Sequence, residues 1–64
     1  MAGYYRDIKR LLKANGCTFV REGKGDHEIW FSPISGRHFT LDKGVTVKAT
    51  ANGTLKDAGL EKAF

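Results

Sequence analysis

Three features of this sequence predict an α+β domain of order α-β-β-β-α, a three-stranded antiparallel sheet with both helices on one face. A helical-period apolar stripe opens the chain and stops at Asn15-Gly16. Three short strand-like runs separated by glycine-containing turns follow between Cys17 and Leu41. A second short helical segment then closes at Gly59. Helices and strands of this kind are stable only when each buries its apolar side against the other layer.

In the first helix, over 5–15, Tyr5, Ile8, Leu11 and Leu12 fall on one stripe, while Arg6, Lys9, Arg10 and Lys13 lie mostly away from it. That is the i, i+3, i+4, i+7 spacing of an amphipathic helix. Gly16 is free to take the left-handed position past the helix end. Cys17 to Glu22 reads as a strand with Cys17, Phe19 and Arg21 on one side. Gly23-Lys24-Gly25-Asp26 is the turn, and His27 to Ser32 the second strand, with His27, Ile29 and Phe31 sharing a face. Pro33-Ile34-Ser35-Gly36 is the next turn signal. Arg37 to Leu41 forms the third strand, with Phe39 and Leu41 on the face opposite His38 and Thr40. The helix-facing side of the sheet is then Phe19, Ile29, Phe31, Phe39 and Leu41, with Trp30 on the far face and His38 pointing away from His27. Val45-Thr46-Val47 suits either a further strand or an extended crossover. Thr50 to Ala58 reads as the last helix, with Thr50 as N-cap, Gly59 after its end and Leu60 folding back over it.

The size and charge of the chain narrow its function. At 64 residues there is one domain over 1–64, burying about 60% of its unfolded surface, so an active site is a shallow surface suited to a polymer. The net charge is +4, and it is unevenly placed. Residues 1–24 hold six basic and two acidic side chains, whereas residues 25–64 hold five of each. A polyanionic partner fits this segregation. A lone Cys17 rules out an internal disulfide and a cysteine-rich zinc site. No metal-ligand spacing stands out, so no metal and no cofactor are expected. The absence of a long apolar run or a leader pattern points to a cytoplasmic protein without a membrane association.

His27 is the candidate chemical centre. RNA carries its own nucleophile, the 2′-hydroxyl, so cleaving it needs a base near that group, positive charge for the phosphate and an acid for the leaving oxygen. An imidazole beside a glycine turn, with Lys24, Arg21 and the N–H groups around Gly25, supplies most of that set without a metal. Lys9 belongs to the basic helix that would hold the phosphate backbone, and an outward Trp30 is placed to stack on a base or to meet a protein partner. The plain alternative is a turn-end histidine bonded to neighbouring backbone. Asp26 and Glu28 flank His27 but point to the other face of the strand.

The chain resembles the HicA toxins of bacterial and archaeal toxin–antitoxin pairs, a family of messenger-RNA-cleaving endoribonucleases. The likeness is carried by the opening helix Tyr5 to Gly16 and by Phe19-Val20-Arg21 with Gly25-Asp26-His27 and the strand Glu28-Ile29-Trp30-Phe31-Ser32-Pro33. It extends to the closing segment Thr50-Ala51-Asn52 through Leu55-Lys56-Asp57-Ala58-Gly59-Leu60. The resemblance implies a double-stranded-RNA-binding-like fold, His27 as the catalytic histidine, and an acidic HicB-type antitoxin that buries His27 and part of the first helix. Two other readings use the same residues: a non-catalytic RNA-binding module, and a structural partner anchored by Trp30 and Phe64. Removing His27 discriminates them, since only a nuclease depends on it.

Overall fold

The computed structural model describes residues 3–64, with elements α1 (Tyr5–Ala14), β1 (Thr18–Glu22), β2 (His27–Ser32), β3 (Arg37–Asp42) and α2 (Lys48–Asp57). Met1 and Ala2 lie outside the described residues. The strands form one antiparallel sheet in the order β1-β2-β3.

Both helices end as their glycines dictate. At the end of α1, Cys17 N–H donates to the Leu12 carbonyl (2.9 Å) and Gly16 N–H to that of Lys13 (3.2 Å), with Gly16 at φ +82°. At the end of α2, Leu60 N–H donates to Leu55 O and Gly59 N–H to Lys56 O, both at 2.9 Å, with Gly59 at φ +81°. Each is a Schellman closure that satisfies carbonyls the helix leaves open. A side chain on Gly59 would also meet Ile34 Cγ2 at 2.9 Å.

The start of α2 differs from the expectation. The helix begins at Lys48 with extended Val47 at its N-cap, and Ala51 N–H donates to Val47 O at 3.0 Å. Thr50 therefore lies inside the first turn, where its carbonyl accepts the Thr54 hydroxyl at 3.2 Å. Val45–Val47 is the crossover, not a strand. Val45 is buried, and its carbonyl accepts Tyr4 N–H at 3.0 Å, fastening the crossover to the start of α1.

A larger correction concerns β2. The buried residues of this strand are Glu28, Trp30 and Ser32, while His27, Ile29 and Phe31 face the other way. Ile8 and Leu12 of α1, Trp30, Phe39 and Leu41 of the sheet, and Leu55 of α2 are among the residues of the core. Phe39 and Leu41 thus sit on the expected side. Phe19 pairs with Trp30 and touches it edge-to-face with ring centroids 6.0 Å apart, but on the outer strand it stays 47% exposed. The phase of β2 is inverted because distant groups satisfy its polar residues. Glu28 Oε2 accepts the Tyr5 hydroxyl (2.8 Å) and Oε1 accepts Trp30 Nε1–H (3.0 Å), with Lys43 Nζ at 4.0 Å. The Ser32 hydroxyl donates to Ala58 O at 2.5 Å and accepts the N–H groups of Ile34 and Ser35. A carboxylate is costly to bury without partners and acceptable with them, and these partners come from α1, β2 itself and the segments flanking α2.

Candidate active site

The face of the sheet turned away from the helices is laid out in three rows by strand register. The first row is Gly23, His27 and Asp42; the second is Arg21, Ile29 and Thr40; the third is Thr18, Phe31 and His38. Rows on one face lie about 7 Å apart, two residues along the strand. The register between β1 and β2 shifts between Phe19 and Arg21, a bulge that admits Val20 as an extra residue. The bulge sets Arg21 on the open face although Phe19, two positions earlier, lies on the helix side.

His27 opens β2 at the end of this face and is exposed. The turn before it is pinned at its base by Gly23 N–H donating to His27 O at 2.7 Å, and His27 N–H reaches Lys24 O at 3.3 Å. Gly25 takes φ +64°, a conformation that favours glycine. Gly23 is held so close that a Cβ there would lie 3.1 Å from His27 O and 3.3 Å from His27 Cβ. The position facing His27 just past the end of β1 therefore carries no side chain, which leaves the imidazole accessible from that edge.

On the β3 side, Asp42 is the partner of His27. Lys43 N–H donates to Asp26 O at 2.8 Å, which makes 26 and 43 a hydrogen-bonded pair. The alternation of antiparallel pairs then makes His27 and Asp42 a non-hydrogen-bonded pair, the kind whose side chains approach more closely. Asp42 Oδ1 accepts Gly44 N–H at 2.9 Å, which fixes the carboxylate at the strand end. Sequence reasoning looked for an acidic neighbour at Asp26 and Glu28 and missed Asp42. Only the β2–β3 register could have pointed to it.

The expected site residues divide between two surfaces. Lys24 and Gly25 belong to the turn that precedes His27, and Arg21 pairs with Ile29 on the open face. Arg21 is in the next row and exposed, its guanidinium donating to Glu22 O at 3.3 Å. Lys9 is on the helix side, its Nζ 5.4 Å from the centre of the Tyr5 ring. Trp30 is 1% exposed, in the core, so it has no face to offer a base. Lys9 and Trp30 both line a groove of about 340 Å³ between α1 and β1, shared with Lys13, Phe19, Glu22 and Glu28. His38, expected on the far face from His27, shares its face two rows away.

Behind the sheet, the Glu28 network shifts two ionisations. Burial pushes the Tyr5 hydroxyl above its ordinary value, and the bond and charge of Glu28 add to this while Lys9 opposes it. Lys43 is raised by its 2.9 Å bond to Glu22, partly offset by desolvation, with the Glu28 charge adding further. Among the described residues, no group of three His, Cys, Asp or Glu side chains is placed to hold a metal ion.

A family model described as HicA toxin of bacterial toxin-antitoxin matches residues 5–60. The chain belongs to the HicA toxin family. The match runs from the first residue of α1 to Leu60, whose N–H closes α2, and so includes all five elements of this HicA-family chain. No curated protein and no solved structure matches it. Among the described residues, no helix of this toxin-family chain is long and apolar enough to cross a membrane.

Proposed function

We propose that this HicA-family chain is a metal-independent endoribonuclease of messenger RNA, with His27 as its general base, in a double-stranded-RNA-binding-like fold. The observation that carries the reading is an exposed imidazole at the open end of the sheet, next to a glycine turn with Lys24 and one row from Arg21. His27 takes the proton of a 2′-hydroxyl as that oxygen attacks the adjacent phosphorus. The new 2′-oxygen–phosphorus bond forms as the bond to the 5′-oxygen breaks. Lys24, Arg21 and the N–H groups of the turn steady the negative charge on the phosphate. The departing 5′-oxygen takes a proton from water, or from His27 in a second step. Asp42, the register partner of His27, is the carboxylate we assign to hold the imidazolium. Because the nucleophile belongs to the substrate, the chemistry is specific for RNA.

A HicB-type antitoxin silences such a site by covering His27. The open face is the surface it must occupy, and α1 lies on the other side of the sheet. The site and its partner both belong to a cytoplasmic setting.

The test is incubation of the purified chain with defined single-stranded RNA in the presence of chelator. The expected products carry a 2′,3′-cyclic phosphate or 3′-phosphate and a free 5′-hydroxyl. Removing a general base typically costs 10²–10⁴-fold, so His27→Ala should lose cleavage to that extent while its fold, read by circular dichroism, is retained. Cleavage of a strand with a 2′-deoxy sugar at the scission site, or a 5′-phosphate on the product, overturns the role given to His27. Tight RNA binding without cleavage by the unaltered chain points instead to a non-catalytic RNA-binding module.

A further inference from the structure

The third row of the open face is not explained by the chemistry at His27. Phe31 and His38 are register partners whose ring centroids lie 5.1 Å apart, tilted by 56°. The same alternation that makes His27 and Asp42 a close pair makes Phe31 and His38 one. Phe31 is half-buried, His38 is exposed, and neither Phe31 nor Ile29 packs against the core. The fold therefore leaves a large aromatic ring half-buried on the open face, outside the core, with an imidazole against it.

We propose that Phe31 and His38 form a base-stacking platform for single-stranded RNA, placed on the same face as His27. The proposal rests on the reading of this face as the one that receives RNA. Aromatic rings on an open sheet hold unpaired bases through their π-faces, whatever the base. The occupant follows from the charge of the strip between platform and imidazole. It runs through Ile29, Thr40 and Arg21 and carries one positive charge and no carboxylate, since Asp42 stands beyond it at the His27 end. A polyanionic strand lying along β2 meets Arg21 midway. From His27 to Phe31 is four residues, about 13 Å along the strand. At 3.4 Å per nucleotide in a stacked strand, and more when it is extended, the platform holds a base between about two and four nucleotides from the scissile phosphate. It thus fixes the register of the strand on His27 without taking part in the chemistry.

The test uses 2′-fluoro RNA, which has no 2′-hydroxyl to attack, with 2-aminopurine at successive positions. The unaltered chain, Phe31→Leu and Phe31→Trp are compared, with thermal melts checking the fold of each. Loss of one base-stacking contact weakens binding by roughly 5- to 150-fold, and that loss is expected for Phe31→Leu. Phe31→Trp should keep the affinity, and 2-aminopurine should be quenched by the unaltered chain at one position only. Equal affinity for Phe31→Leu and the unaltered chain overturns the platform. So does a loss confined to antitoxin binding, which would make this row a protein interface. Binding is read without cleavage, so the two readings fail separately. An uncut natural RNA with Phe31-dependent binding removes the nuclease and leaves the platform. Cleavage with Phe31-independent binding does the reverse.

Discussion

Glu28→Ala withdraws one acceptor from two donors, and the structure shows how unequal their losses are. The Trp30 ring is 1% exposed, and its Nε1–H has Glu28 Oε1 as partner at 3.0 Å. Left unpaired in the core, such a donor costs about 1–3 kcal/mol. The Tyr5 hydroxyl is on a half-buried residue and regains water, so its bond counts nearer the ordinary net value of about 0.5–1.5 kcal/mol. Lys43 keeps its 2.9 Å bond to Glu22 and adds little. The substitution should therefore cost about 2–4 kcal/mol, against about 3–10 kcal/mol of total stability for a domain of this length. Glu28→Gln retains one carbonyl oxygen for Trp30 but turns an NH₂ toward Tyr5 and forfeits the charge, a loss of about 1 kcal/mol. That corresponds to a fall of roughly 4–8 °C in Tm. Trp30 is the only tryptophan, so urea unfolding followed by its fluorescence reads the environment of interest directly. Glu28→Ala within about 0.5 kcal/mol of the native chain, the scatter of ordinary surface substitutions, would refute the assignment of the inverted β2 phase to this network. So would equal losses for the two variants.

Two further outcomes are expected. Lys24→Ala should weaken RNA association and lower the slope of log affinity against log salt by about 0.7, the value for one phosphate contact on a single strand; an unchanged slope removes Lys24 from the phosphate. Tyr5 has a raised folded-state value, from 10.0, chiefly through burial, and its neutral form is the one the fold holds. Its contribution is therefore complete below about pH 10 and is lost as pH climbs through the raised value. Lys43, raised from 10.5, loses its contribution in the same direction. Stability measured by urea unfolding should fall more steeply on that alkaline limb for the native chain than for Tyr5→Phe, and parallel limbs would count against the Tyr5–Glu28 bond.

Much of the fold is legible locally, because local chemistry decides it. The α1 stripe of Tyr5, Ile8, Leu11 and Leu12, the glycines that close both helices, and the turns around Gly25 and Gly36 act within a few residues of themselves. The element order and the position of His27 at a strand opening follow from them. The start of α2 was less legible, since Thr50 is the better capping residue by type, yet the chain enters the helix at extended Val47 after fastening Val45 to Tyr4. What the sequence by itself could not determine is which side of β2 is buried. Alternation specifies two faces and does not rank them when one offers Ile29 and Phe31 and the other Glu28, Trp30 and Ser32. The choice depends on whether a carboxylate and a hydroxyl find partners, and those partners, Tyr5 at 23 residues and Ala58 at 26 residues' separation, meet them only in the folded chain. With that choice the tertiary structure took Trp30 out of the candidate site, brought Asp42 and His38 onto the face of His27, and left Phe31 half-buried on that face, outside the core.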